Sequence, residues 1–227
     1  MTPENPARYL SQPSGAEAPI VCIGLSAGGI GPLQTVLNGI HAHYGMAFVV
    51  IPHISRDHPT ALPELVSMWS KLPSTLAWTG LRVQPNHVYV IPPGKELWLD
   101  NGKFMVRPRP TTPGFSRVIT VFLGSMANCR RSPGVAVILS GMDADGSAAL
   151  HEFKARGGVV IVQEPESAEC PDMPRSARRT GCVDYVLPPR AIAEKICQLG
   201  REASRVHGNR DTADEDFPAS ITPPQEQ

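Results

Sequence analysis

The 227-residue chain lacks an excess of charge of either sign, with 21 lysines and arginines against 21 acids. Proteins that hold nucleic acid by neutralising its phosphates need a basic surplus, so a nucleic-acid partner is not expected. No run approaches the roughly 18 to 20 consecutive apolar residues that span a bilayer, and no charged-then-apolar segment opens the chain. Neither membrane insertion nor secretion is expected. The five cysteines (Cys22, Cys129, Cys170, Cys182 and Cys197) are odd in number and form no C-x-x-C pair. That pattern suits reduced thiols in a cytoplasmic protein better than a disulfide framework or a zinc site. The G-x-G-x-x-G and Walker lysine patterns of nucleotide loops are also missing. No metal and no cofactor is expected.

What is present is enough apolar residue, 41%, to build one sizeable core. Residues 1–17 are polar and proline-rich and read as a flexible lead-in. Residues 201–227 are poor in apolar side chains and read as a disordered tail. Between them, residues 18–200 alternate apolar strand-like runs with helical patterns. Pro19 to Leu25, Met46 to Ile51, Val135 to Leu139, Val159 to Val162 and Val183 to Leu187 read as strands. Helical spacing links Ile30, Leu33, Leu37 and Ile40, then His58 to Trp69, then Ala149, Leu150 and Phe153, and finally Ile192, Ile196 and Leu199. Continuous apolar strands alternating with amphipathic helices predict an α/β domain with a doubly wound, mostly parallel sheet flanked by helices. The middle reads differently. Val88 to Ile91, Leu97 to Asp100 and Lys103 to Val106 suggest inserted antiparallel β structure, with Asn101-Gly102 supplying a type I′ hairpin turn.

In such a sheet the functional site lies beyond the carboxyl ends of the strands. The first strand runs into Gly24-Leu25-Ser26-Ala27-Gly28-Gly29, the G-x-S-x-G form of a nucleophile elbow. The plainer reading makes Ser26 a helix N-cap in a glycine-rich turn. The second strand ends at Pro52-His53, and a right-handed crossover sets consecutive parallel strands side by side. Ser26 and His53 are then expected at the same sheet edge, although His53 also reads as an ordinary loop histidine. A later strand ends in Ser140-Gly141-Met142-Asp143-Ala144-Asp145-Gly146, where an acid suits either histidine orientation or helix capping. A nucleophile, a base and an orienting acid on one rim make a serine hydrolase the leading expectation.

These residues carry a resemblance. CIGLSAGG (Cys22 to Gly29), VIPH (Val50 to His53), PNHVYVIPP (Pro85 to Pro93), SGMDADG (Ser140 to Gly146) and MPRSA (Met173 to Ala177) occur in order over about residues 18–190. Together they resemble the CheB-type protein-glutamate methylesterase domain, most closely the version fused to receptor methyltransferases. The resemblance implies a cytoplasmic Ser/His/Asp hydrolase that removes methyl groups from glutamate γ-esters of methyl-accepting chemoreceptors and deamidates certain receptor glutamines. Carried over by motif, the nucleophile is Ser26, the base His53 and the acid Asp145, with the backbone amides of Ala27 and Met142 at the oxyanion hole. Asp143 falls at a position the family fills variably and reads as a solvated loop acid. The implied partners are chemoreceptor cytoplasmic helices and a receptor methyltransferase. Arg175, Arg178 and Arg179 are candidates for contacting acidic side chains of a receptor helix, or else form a solvated helix face.

The chain departs from the family pattern in three places. Ala27 stands where Thr usually follows the nucleophile. Ser116 to Thr120 lacks the usual Arg-Pro-Ser-x-Asp pattern. The first 17 residues are too few for a receiver domain, so a stand-alone catalytic domain without internal phosphorylation control is expected. The first two departures keep open an alternative, a catalytically weak docking module for receptors or a methyltransferase.

Overall fold

The computed structural model describes residues 18–40, 44–53, 61–110, 117–129 and 134–211. Its frame is a seven-stranded sheet. Strands β1 (Ile20–Leu25), β2 (Ala47–Pro52), β3 (Ser74–Leu76) and β4 (His87–Val90) form one half, and β7 (Val135–Ile138), β8 (Val159–Gln163) and β9 (Tyr185–Leu187) the other. The spatial order is β3-β4-β2-β1-β7-β8-β9, and every pairing is parallel. Every residue of β1, β2, β7 and β8 is buried. A parallel strand covered on both faces needs apolar side chains at odd and even positions alike, which is why these segments read as unbroken apolar runs.

Alternation along β1 divides the interior into two layers. Val21, Ile23 and Leu25 face a layer with Leu33 and Leu37 of α1 (Ile30–Gly39), Leu62 and Val66 of α2 (Leu62–Trp69), and Ile192 and Ile196 of α6 (Pro189–Asp211). Ile20 and Cys22 face the second layer. It holds Ile119 and Phe122 of α3 (Val118–Cys129), Leu150 and Phe153 of α4 (Leu150–Ala155), and Met173 and Ala177 of α5 (Asp172–Arg179). The antiparallel hairpin of β5 (Lys95–Asp100) and β6 (Lys103–Pro108) adds Leu97, Leu99 and Phe104 to that layer. Asn101 at φ 47° and Gly102 at φ 73° give the two positive angles that a type I′ turn requires.

Two expectations change. Val88 to Ile91 does not join the hairpin. Its residues 88–90 belong to β4, which pairs in parallel with β2 and β3, and the antiparallel part consists of the β5–β6 hairpin and an isolated antiparallel bridge from Arg82 to Lys103. The run is short and flanked by turn residues, and periodicity alone cannot tell which partner such a strand will find. The last helix also passes the expected boundary at Gly200 and continues to Asp211. Ala203 is buried, and Arg201 and Ser204 hydrogen-bond to Tyr44, so tertiary contacts hold a segment whose polarity suggested a tail. The proposed lead-in (1–17) and residues 212–227 lie outside the described residues, as do 58–60 at the expected start of the second helix. No helix among the described residues is long and apolar enough to cross a membrane.

Candidate active site

The chain leaves β1 for β2 on one side of the sheet and later returns through β7 on the other side, so strand order reverses beside β1. Loops after β1, β2 and β7 therefore meet at one rim, where a doubly wound sheet opens a crevice. The first loop is a tight turn. Gly28 sits at φ 70°, and Gly29 N–H returns a hydrogen bond to Ser26 C=O at 3.0 Å. Ser26 N–H donates to Ser140 C=O at 2.9 Å, tying the first loop to the third. His53 N–H donates to Leu25 C=O at 2.6 Å, tying the second to the first. Ser26 and His53 thus stand side by side on adjacent strands. The Ser26 hydroxyl donates to the main-chain carbonyl of His53 at 3.2 Å, and no hydrogen bond joins it to the imidazole in this resting rotamer.

The acid that meets the imidazole is Asp143. His53 Nδ1 pairs with Asp143 Oδ2, and Asp143 Oδ1 accepts the Asp145 backbone N–H at 2.8 Å. The pair is half-buried, and its two members pull each other's titration in opposite directions. The hydrogen bond to Asp143 raises the His53 pKa above its ordinary value. Burial works against that rise, the charges of Asp143 and Asp145 support it, and Arg109 opposes it. For Asp143, burial alone would raise the pKa. The hydrogen bonds from His53 and the Asp145 amide outweigh burial and hold it below the usual carboxylate value. With Nδ1 against a carboxylate, a proton on that nitrogen is favoured, which leaves the lone pair of the neutral ring on Nε2, the tautomer a general base needs.

Asp145, expected from the motif to orient His53, is engaged elsewhere. Its side chain is 6% exposed. Oδ2 accepts Ile119 N–H at 3.0 Å, while Oδ1 accepts Thr120 N–H at 3.0 Å, the Thr120 hydroxyl at 2.8 Å and Gly146 N–H at 2.8 Å. A carboxylate at the start of α3 satisfies amides that have no partner within the helix and complements the positive end of its dipole. Two acids two residues apart therefore do different work: Asp143 reaches the histidine, and Asp145 fastens the loop to α3. The approach of α3 depends on Gly24, because a Cβ there would lie 2.8 Å from the Ile119 side chain.

Among the other candidates, Ala27 and Met142 have no hydrogen bond on their backbone amides, and Met142 is 67% exposed. Ala27 follows Ser26 directly. Met142 follows Gly141, where a Cβ would come within 2.9 Å of Ser26 Cβ and 1.9 Å of Met173 Sδ. Ser140 braces this corner from below. Its hydroxyl donates to Ala27 C=O at 2.8 Å and accepts Cys170 N–H at 2.9 Å, and its amide donates to buried Gln163 at 2.9 Å. Arg175, Arg178 and Arg179 do not touch the Ser26–His53 pair; they line an open cavity of about 340 Å³ on α5. Sequence reasoning passed over Arg109, whose charge reaches His53, and used Met173 only as part of the MPRSA block, with no role at Gly141, on which it packs. No composition or spacing signal marks Arg109. Among the described residues no cluster of three or more His, Cys, Asp or Glu could hold a metal ion.

Comparison with known proteins bears on the family and the fold. The family model described as CheB methylesterase matches residues 21–196. A protein-glutamate methylesterase/protein-glutamine glutaminase 4 of Geobacter metallireducens is 29% identical over 205 residues, covering 88% of this chain and 59% of its own. A counterpart from the group 3 operon of Rhizobium meliloti is 30% identical over 205 residues, covering 88% and 58%. A putative protein-glutamate methylesterase/protein-glutamine glutaminase of Leptospira interrogans is 31% identical over 180 residues, covering 79% of this chain and 93% of its own. The chain spans somewhat under three-fifths of the first two relatives. In three dimensions it is similar to the Thermotoga maritima CheB methylesterase catalytic domain, with a TM-score of 0.75 and 29% identity over 81% of this chain and 100% of that one. Because the family model covers most of the sequence and the parallel sheet is shared, this chain belongs to the CheB methylesterase family.

Proposed function

We propose that the chain is a serine hydrolase that removes methyl groups from glutamate γ-methyl esters of methyl-accepting chemoreceptors, with Ser26 as nucleophile and His53 as base. The same chemistry on a receptor glutamine releases ammonia in place of methanol. The observation that carries the reading is the His53–Asp143 pair beside Ser26 on the rim of a CheB-type fold. The mechanism requires the Ser26 side chain to rotate away from the His53 carbonyl and present Oγ to Nε2. The ring then takes the hydroxyl proton as Oγ attacks the ester carbonyl. Asp143 stabilises the imidazolium that forms and remains ionised throughout.

The tetrahedral oxyanion needs donors that are not already engaged. The free amides of Ala27 and Met142 suit that role, each such donor being worth about 2.7 to 4 kcal/mol. Collapse breaks the bond to the methoxy group, and the imidazolium returns the proton to departing methanol. Water, deprotonated by the same ring, then cleaves the acyl-enzyme and leaves a glutamate carboxylate. Asp145 acts through position, holding the loop after β7 against α3. The names of the similar proteins support methylesterase and glutaminase activity on protein side chains, and the CheB-type motifs support a methyl-accepting receptor as the protein that carries them.

The test is methanol release from a methylated receptor fragment by the purified chain. Release that disappears in Ser26→Ala supports the reading. Stable binding of the fragment with no release would support the docking-module alternative, which Ala27 favours by lacking the hydroxyl that usually follows the nucleophile.

A further inference from the structure

Three guanidinium groups gather on α5 without an acid among them. Arg175, Arg178 and Arg179 are exposed and line the open cavity of about 340 Å³. Arg179 Nη2 donates to Ser176 Oγ at 2.7 Å, while among the described residues the side chains of Arg175 and Arg178 have no ion pair or hydrogen bond, not even with Asp172 in the first turn of the same helix. Residues three and four apart share one face of a helix, so the positive charges repel across the cavity. Arg178 and Arg179 gain something from the negative end of the α5 dipole, but Arg175 lies a turn earlier and gains little. In a chain of zero net charge, an unneutralised triplet of this kind is a standing site for an anion.

The triplet is also held in register with the nucleophile. Met173 N–H donates to Gly141 C=O at 3.0 Å, and Gly141 N–H donates to Cys170 C=O at 2.8 Å. Gly141 in turn abuts both Met173 Sδ and Ser26 Cβ. At 1.5 Å per residue, Arg175 to Arg179 lie about 3 to 9 Å along the helix axis from Met173. One turn of a helical substrate advances about 5.4 Å, so the arginines extend over about half a turn to two turns of such a substrate, measured from Met173 at the Ser26 corner.

We propose that Arg175, Arg178 and Arg179 form a carboxylate-reading subsite that binds a free glutamate or aspartate side chain of the substrate protein, one to two turns from the ester being cleaved. The inference rests on the methylesterase reading and deepens it. A methyl ester is neutral and cannot form an ion pair with a guanidinium, whereas the hydrolysed glutamate pairs with it through both carboxylate oxygens. Each turnover therefore converts a side chain the subsite ignores into one it holds. Removal of one methyl group then speeds removal of a neighbouring one, and a partly demethylated segment is a better substrate than a fully methylated one.

The test uses helical peptides carrying one glutamate γ-methyl ester and, four or seven residues away, glutamate, glutamine, lysine or a second methyl ester. In the unmodified chain, kcat/KM for methanol release is expected to be about fivefold to tenfold higher with flanking glutamate, equivalent to about 1 to 1.4 kcal/mol. The ratio within each enzyme should collapse toward one in Arg175→Gln/Arg178→Gln, and Arg178→Glu should turn the preference toward a flanking lysine. Rising salt should shrink the ratio, because exposed charges are screened. Affinity of Ser26→Ala for the same peptides reads the subsite without turnover. Methanol release with no preference for flanking glutamate, or a preference that survives in the arginine variants, overturns the subsite. Preferential binding by Ser26→Ala with no release from any peptide by the unmodified chain keeps the subsite and overturns the methylesterase reading.

Discussion

The loops after β1 and β7 occupy equivalent places on neighbouring parallel strands, and each leads toward a helix. Each also contains a glycine at positive φ, Gly28 at 70° and Gly146 at 91°. Their chemistry differs. Gly24 to Gly29 contains no charged side chain, and its work is geometric: a hydroxyl at the crest of a turn, small neighbours, and a free amide at Ala27. The β7 loop carries two acids, one committed to the imidazole and one to the first turn of α3. The same topology thus offers one loop for exposing a reactive atom and another for arranging the charge around it. A loop of the first kind is sensitive to added volume, and one of the second kind to lost charge.

The largest expected effect comes from removing the reactive atom. Ser26→Ala should lower kcat by about four orders of magnitude or more while shifting Tm by at most a few degrees, since the hydroxyl makes one hydrogen bond worth about 1 kcal/mol. Retained turnover would show that the β1 loop does not supply the nucleophile. Within the β7 loop, the two acids should separate cleanly. Asp143→Asn is expected to cut kcat by about 10² to 10⁴ with little change in Tm, because an amide favours the wrong imidazole tautomer. Asp145→Asn should instead lose about 1.5 to 3 kcal/mol of stability as the charge at α3 disappears, with a smaller loss of kcat in the protein that remains folded. Thermal melts and turnover on the same two preparations decide this, and the reverse ranking would restore Asp145 as the orienting acid.

Titration sharpens the same contrast. In the proposed mechanism His53 acts as a base only when neutral, and the pairing with Asp143 raises its pKa. The acidic limb of kcat/KM should therefore lie above the ordinary histidine value of about 6.5. In Asp143→Asn that limb should move to lower pH along with the fall in rate, whereas Asp145→Asn should shift it less. A limb that stays fixed in Asp143→Asn would show that the pair does not govern the base.

Volume is the probe for the corner shared by the loops. Gly141→Ala would drive a methyl group into Met173 Sδ and Ser26 Cβ. A cost of about 1 to 3 kcal/mol is expected, together with reduced turnover. Met173→Ala in the same chain should relieve part of it, measurable as a non-additive cycle. The smallest expected effect is a gain: Ala27→Thr should raise kcat by up to about tenfold, or ~1.4 kcal/mol, with little change in KM, since its hydroxyl would meet charge that develops mainly in the transition state.

The difference between the loops also explains what was legible in the sequence. Ser26 and His53 could be read because each follows an unmistakable apolar strand, and adjacency of β1 and β2 follows from the crossover rule. The choice between Asp143 and Asp145 could not be read. Both are acids after one strand, and what separates them is the position of α3, fixed by packing of Ile119 against Gly24 over a long sequence interval. The motif resemblance favoured Asp145, while the local geometry gives His53 to Asp143. The parallel placement of β4 was hidden for a similar reason, since its partners lie in β2 and β3 and not beside it in a local hairpin. Arg175, Arg178 and Arg179 were visible as a cluster of like charge. Their common cavity and their register against Gly141 needed three dimensions.

The central place of β1 has a consequence for how the molecule comes into being. Its neighbour β2 is near in sequence, with Ile20 beside Ala47, but its other neighbour is β7, with Val21 beside Val135. During synthesis the first half of the sheet emerges long before the strand that completes the rim, and ordering contacts at such separation is slow. A nascent chain that ends before residue 134 holds Ser26 and His53 but neither acid, and it leaves a wholly apolar β1 edge unpaired. The proposed catalytic rim is therefore completed late, in one step with closure of the sheet. Until then the growing chain is vulnerable to edge-to-edge association.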